Sequence, residues 1–279
     1  MSEVLLDNEP TIRLVISAAV FALLASAEAL FPRRPQNIGR LVRWPNNFGI
    51  VALNTALIRV LLPTAAVGMA ATAEARGWGL FNAVGLPGWF ALPLAVVALD
   101  LAIYLQHVVF HAVPALWRLH RMHHADLEFD VTTGLRFHPV EIALSMGIKF
   151  LVIAALGPSA LAVLIFEVLL NATSMFNHGN VRLPAAMDRV LRWIVVTPDM
   201  HRVHHSVHPE ETNSNFGFNL PWWDCLLGTY RAQPRDGHEG MTIGIEQFRT
   251  RRDLRLDRML VQPVLGPASG YAINRELPP

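Results

Sequence analysis

The sequence predicts an all-α membrane protein, with about three N-terminal transmembrane helices, a helical hairpin, and a cytoplasmic helical cap that carries clustered histidines. Three observations predict it. Of 279 residues, 52 % are hydrophobic and only 16 % are charged, against about 25 % charged in an ordinary soluble domain. Several apolar stretches are long enough to cross a bilayer as helices. Twelve histidines are present, most of them in three short clusters. The composition excludes disorder, because apolar surface is plentiful. Cys225 is the only cysteine, which excludes a disulfide framework. A formal net charge of +1 leaves no general nucleic-acid footprint, so no nucleic-acid partner is expected.

Residues 12–31 form the first apolar segment, 20 residues long, with Arg13 at one end and Glu28 near the other. Ala25-Ser26-Ala27 resembles a signal-peptide cleavage site. Glu3, Asp7 and Glu9 stand where such a peptide carries positive charge, so an uncleaved helix is expected. Residues 48–71 form the second segment, interrupted by Asn54, Arg59 and Pro63. Arg59 is costly near mid-depth and is expected to face protein or water. Residues 86–106 form the third segment and include Asp100 and Tyr104. Residues 142–177 are apolar around a Gly157-Pro158 break, which reads as a helical hairpin. Its short arms suit either full crossing or re-entry. Lys149 and Glu167 lie nearly equidistant from that turn, and are expected to face one another or a shared polar cavity.

Orientation follows from arginine. The loop at 32–47 holds Arg33, Arg34, Arg40 and Arg43 and no acid, which puts it in the cytoplasm and the N-terminus outside. Counting crossings, residues 107–141 and everything after 178 share the cytoplasmic side. Residues 183–197 place Leu183, Met187, Val190, Leu191, Ile194 and Val195 on one helical face. That helix could lie in the membrane interface or pack on the cytoplasmic part.

The histidines carry the functional argument. They follow the pattern His107-x-x-x-His111, then His120-x-x-His123-His124, then His201-x-x-His204-His205. On a helix, residues three and four apart share a face, so each cluster can aim two or three imidazoles at one point. Thr197, Pro198 and Asp199 form a helix-start signal before the third cluster, and Asp199 is read there as a capping residue. His178 ends the hairpin and returns toward the clusters, which makes nine candidate ligands. One metal takes at most about six, so at least two ions are implied. Imidazole suits zinc, copper, iron and nickel alike. H-E-x-x-H is absent, which disfavours a zinc protease of that type. Asp100, Tyr104 and His138 could orient ligands from behind, and Asp100 and Tyr104 could equally pack and hydrogen-bond. His208 and His238 are expected outside the site.

These motifs resemble those of the fatty acid hydroxylase superfamily, also called the sterol desaturase family, from about Asp100 to Tyr230. The matching pieces are Asp100-x-x-x-Tyr104-x-x-His107-x-x-x-His111, Leu116-Trp117-Arg118-x-His120-Arg121-x-His123-His124 and Arg136-Phe137-His138-Pro139-x-Glu141. Phe176-Asn177-His178-x-Asn180, the stretch from Val196 to Ser206, and Trp223-Asp224-Cys225-Leu226-Leu227-Gly228-Thr229-Tyr230 follow. Members commonly carry arginine at Cys225 and phenylalanine at Leu227. The resemblance implies a membrane non-haem di-iron enzyme that uses dioxygen and reductant to hydroxylate or desaturate a lipid. It implies that the eight cluster histidines and His178 hold two iron ions, with no catalytic residue beyond these ligands. No G-x-G-x-x-G and no C-x-x-C-H occurs, so electrons are expected from a separate donor protein. The expected division is 1–85 for the N-terminal membrane helices, 86–230 for the catalytic domain and 231–279 for a cytoplasmic tail. The rival classes are a membrane metal-ion transporter and a metal-dependent membrane hydrolase. Transporters bind at mid-depth, whereas these clusters lie at helix ends.

Overall fold

The computed structural model describes residues 2–62 and 64–273. Among them the chain is helical, with no β-strand beyond two isolated bridges, Pro32 with Val181 and Ser206 with Ile243. Helices α1 (Ser2–Asp7) and α2 (Glu9–Leu30) lead to α3 (Arg40–Leu61), α4 (Ala65–Ala75) and α5 (Leu80–Ala83). Then come α6 (Gly88–Ala112), α7 (Pro114–His124), α8 (Pro139–Leu156) and α9 (Ala160–Asn177). Short helices complete the chain: α10 (Ala185–Leu191), α11 (Pro198–His204), α12 (Pro209–Thr212), α13 (Trp222–Leu227), α14 (Gly237–Gly240) and α15 (Leu256–Val261). Among the described residues, five segments are long and apolar enough to cross a membrane, matching three N-terminal crossings and a hairpin.

The hairpin turns where glycine permits. Gly157 caps α8 in the left-handed region at φ 67°, and Ser159 caps α9 by accepting from Ala162 N. A Cβ on Gly79 would lie 2.2 Å from Gly157 N, so the turn before α5 seats directly on the hairpin turn. The second apolar stretch is not one helix. It divides into α3 and α4, and α4 packs against α8 and α9 through Ala66, Ala70 and Ala73. Pro63 lies outside the described residues. Because α3 starts at Arg40 and ends at Leu61, Arg59 falls in its last turn and is exposed. A cation there complements the helix dipole and can reach the interface.

The five long helices alternate in direction, so the ends of α2, α6 and α9 and the starts of α3 and α8 gather at one end of the bundle. The loop arginines tie that end together. Arg43 is fully buried, with Nε and Nη2 donating to Asp126 at 2.8 and 2.6 Å, and it also pairs with Asp130. Glu28 accepts from Val131 N at 2.7 Å and Asn180 N at 2.8 Å. Truncating one partner of such a buried pair costs about 3–5 kcal/mol.

Residues 232–273 close over this end. Tyr271 stacks on Trp117, and Ile273 N donates to the His111 carbonyl at 3.0 Å. Arg121 donates to the carbonyls of Gln262 and Pro267 at 2.6 and 2.5 Å. Helix α10 is only seven residues long and buries none of them. Val190, Trp193 and Ile194 are 61, 76 and 62 % exposed, so none of the described residues covers this apolar face.

Candidate metal centre

Proline and capping residues set the helices that bring the histidines together. Pro114 starts α7 immediately after α6, so the chain turns at Val113 and α7 folds back beside the end of α6. His107 and His111 leave α6, and His120, His123 and His124 leave α7. Thr197 caps α11, accepting from Met200 N at 3.4 Å, and Pro198 fills its first turn. Asp199 lies in that turn and pairs with Arg202 and Arg33. His178 is the C-cap of α9.

All nine histidines are buried, and they form two groups. His107, His111, His120, His124 and His204 make one; His123, His178, His201 and His205 make the other. Within each group the candidate ligand atoms lie within 4.8 Å of one another. His107 Nε2 lies 3.0 Å from His120 Nε2, and His178 Nε2 lies 3.2 Å from both His123 Nε2 and His201 Nε2. Burial pushes the imidazoles of His123, His124, His201, His204 and His205 well below their ordinary value, and neighbouring imidazoles push further. Burial brings His178 down to about 3. Neutral imidazole is the form that binds metal.

Most of the rings are held from behind through Nδ1. His107 Nδ1 meets the Phe216 carbonyl at 2.7 Å, His178 Nδ1 the Ser174 carbonyl at 2.7 Å, and His204 Nδ1 the Ser214 carbonyl at 2.7 Å. His123 Nδ1 meets the Arg136 carbonyl at 3.2 Å, and His111 Nδ1 meets Asn213 Oδ1 at 3.1 Å. His120 Nδ1 meets Glu141 Oε1 at 2.6 Å. These bonds fix the tautomer and leave Nε2 as the ligand atom. The Nε2 atoms of His111, His124, His204 and His205 are buried with no hydrogen-bond partner. Orphaned imidazole nitrogens converging in two groups fit metal ions, which would satisfy them.

Asp100 and Tyr104 act one step further out. Asp100 Oδ2 accepts from Trp223 Nε1 at 2.8 Å, and Tyr104 Oη lies 2.8 Å from Thr229 Oγ1. Both hold the segment whose Phe216 carbonyl meets His107. His138 lies outside both groups. It caps α8, its Nδ1 accepting from Val140 N, and its Nε2 meets the Leu260 carbonyl at 3.2 Å. His208 also lies outside, against Asp236 at 2.7 Å. His238 lies outside too, as expected, and is buried, at 6 % exposed. Sequence reasoning did not assign Glu141 or Asn213. Glu141 sits in the first turn of α8, where an acid reads as a complement to the helix dipole. Gly134 is a further requirement: a Cβ there would lie 2.5 Å from the Ser174 carbonyl and 3.0 Å from His178 Nδ1.

One group opens on a cavity of about 280 Å³. His107, His120 and Glu141 line one part of it, with Phe110, Phe137 and Phe218 around them, and Arg13, Lys149 and Glu167 line another. Lys149 Nζ contacts Glu167 Oε1, as expected from their equal spacing about the turn.

Residues 92–229 match the family model of fatty acid hydroxylases. An ornithine lipid hydroxylase of Rhizobium tropici is 31 % identical over 149 residues, covering 53 % of this chain and 44 % of that protein. Alkylglycerol monooxygenase of Xenopus tropicalis is 26 % identical over 212 residues, 72 % of this chain and 45 % of that protein. Human cholesterol 25-hydroxylase is 28 % identical over 137 residues, 48 % of each chain. The chain spans less than half the length of these relatives. No solved structure matches.

Proposed function

We propose, from the premise that residues 92–229 are a fatty acid hydroxylase domain within an integral membrane protein, that the chain is a lipid hydroxylase or desaturase that uses dioxygen and external electrons. The observation that carries this reading is the pair of buried histidine groups, one of them opening on a largely apolar cavity. His107, His111, His120, His124 and His204 would hold one iron ion, and His123, His178, His201 and His205 the other. Two irons there supply dioxygen activation and cleavage of an unactivated C–H bond. The relatives named for ornithine lipid, alkylglycerol and cholesterol share a lipid substrate, and that class is assigned here.

The chain's own residues prepare the site. Backbone carbonyls, Glu141 and Asn213 fix ring orientation, so the ligand set is organised before metal arrives. Phe110, Phe137 and Phe218 keep the cavity beside His107 and His120 apolar, which favours an alkyl chain over water. The C-terminal residues seal the opposite face, with Tyr271 on Trp117. The arginine-bearing end, the histidines and the C-terminal part are assigned to the cytoplasm. A separate electron-donor protein reaches them there, consistent with the lack of a nucleotide fingerprint. The catalytic unit is assigned to 86–230, between N-terminal membrane helices at 1–85 and a cytoplasmic part at 231–279.

Purified protein supplied with a lipid extract and a reductant should consume oxygen, and its iron content should track that activity. Full activity in iron-free protein, with another metal and without oxygen, overturns the reading and favours a metal-dependent hydrolase.

A further inference from the structure

The cavity beside His107 and His120 has a charged part that the reaction chemistry does not use. Arg13, the one cavity residue from α2, donates through Nη2 to Glu167 Oε2 at 3.1 Å and through Nη1 to Glu9 at 2.7 Å. Lys149 pairs with the other oxygen of Glu167. Lys149 and Glu167 are almost fully buried, in helices long and apolar enough to cross a membrane. A buried ion pair is often no more stabilising than an apolar pair of the same size, so stability alone does not account for these charges. Lys149 has three donor protons and Arg13 has five, so both keep donors beyond the bonds they make to carboxylates. Around the trio of Arg13, Lys149 and Glu167, Glu9, which does not line the cavity, brings this network to two cations and two carboxylates, so the cavity offers an anion these spare donors rather than a net charge.

Its distance from the histidines is set by helix geometry. Glu141, bonded to His120, and Lys149 lie on α8 eight residues apart, about 12 Å at the rise of an α-helix. The trio is displaced from the histidines toward the opposite face of the bundle. The cavity also has a lateral mouth. Helix α2 packs along α9 and α3 along α8. They meet one another through Phe21 with Trp44 and Phe48, at centroid distances of 5.4 and 5.3 Å, on the histidine side of Arg13. Beyond those rings, Thr55 lines the cavity and is exposed, and the Arg13 side chain is 32 % exposed.

We infer that Arg13, Lys149 and Glu167 form the head-group end of the substrate site, taking the carboxylate or phosphate of an amphiphile that enters from the lipid between α2 and α3. The substrate then lies with its anionic group pointing away from the histidines and a carbon of its alkyl chain beside His107 and His120. This deepens the lipid-oxygenase reading and rests on it. It makes the alkyl tail, rather than the head group, the part that is oxidised.

The test uses the full chain in lipid nanodiscs with dansylaminoundecanoic acid as a fluorescent probe, displaced by laurate or by dodecanol. The parent should bind laurate about tenfold more tightly than dodecanol, the worth of about 1.4 kcal/mol of charge-assisted hydrogen bonding. Arg13→Gln, at the mouth, and Lys149→Met should each reduce that ratio toward one. Glu167→Gln, which removes the competing carboxylate, should raise it. A ratio of one in the parent, or one unmoved by all three substitutions, overturns the inference and leaves the trio a structural ion pair. The ratio is read without oxygen or reductant. Failure of the oxygenase reading is seen separately, as absent oxygen uptake in parent protein that still prefers laurate.

Discussion

His120 and Glu141 are joined at 2.6 Å through Nδ1 and Oε1, and this bond sets which nitrogen of His120 faces its neighbours. With the proton held on Nδ1, Nε2 is free and lies 3.0 Å from His107 Nε2. Glu141→Ala should therefore lower metal affinity or turnover about 10–100-fold, and Glu141→Gln, which keeps an acceptor, should lower it less. Iron content of anaerobically purified protein and turnover check this. An alanine variant equal to the parent in both would mean that packing alone orients His120.

Single ligand replacements should separate the two histidine groups. Parent protein should hold about two irons per chain by the ligand count. His111→Ala, from the group of five, and His205→Ala, from the group of four, should each lose turnover and bind about one iron or fewer. His208→Ala should keep both, because His208 pairs with Asp236 away from the groups. Elemental analysis of the three variants distinguishes these outcomes.

Gly134→Ala should damage the group of four without touching a ligand. The added Cβ meets the carbonyl that holds His178 Nδ1, at 2.5 Å, so α9 or the ring has to move. Overpacking of this kind costs about 1–3 kcal/mol, visible as a lower melting temperature and reduced iron. Unchanged values in both would show that the 133–135 turn yields freely.

His238 predicts a pH effect of definite sign. Burial lowers it to about 4, against the opposing pull of the Asp199 carboxylate. The unfolded chain therefore binds a proton that the folded chain does not, and stability falls as pH drops from about 6.5 to about 4. His238→Asn should remove that part of the slope, so the difference in melting temperature between parent and variant should change across this window and be flat above it. A constant difference from pH 7 to pH 4 contradicts the burial effect.

Orientation is open to labelling. Arg251 is exposed at the histidine-bearing end, and Cys225 is the only native cysteine. In a Cys225→Ser background, Arg251→Cys should resist an impermeant maleimide in intact cells and react after lysis. Labelling of intact cells would reverse the proposed topology.

Much of the fold was legible because it depends on local chemistry. Hydropathy runs of bilayer length marked the crossings, Gly157-Pro158 marked the hairpin turn, and Thr197-Pro198 marked the start of α11. Each signal acts within a turn or two of helix, and neighbouring residues suffice to read it. The pairing of Lys149 with Glu167 was also readable, since a turn between two helices brings equal depths together. The division of the second apolar stretch into α3 and α4, the exposure of Arg59 and the burial of His238 depend instead on which distant surfaces meet.

The histidine spacing shows the same boundary most clearly. The sequence by itself determined that eight imidazoles would gather in clusters, because i, i+3 and i+4 positions share a helix face, and that the hairpin would point His178 back toward them. It did not determine which imidazole serves which group. His120 and His124 join the group of five while His123 joins the group of four; in the other H-x-x-H-H cluster, His201 and His205 join the group of four while His204 joins the group of five. Identical spacing thus has opposite allocation. Residues three and four apart splay to either side of a helix face, and only the positions of α6, α7, α9 and α11 relative to one another decide which side faces which group.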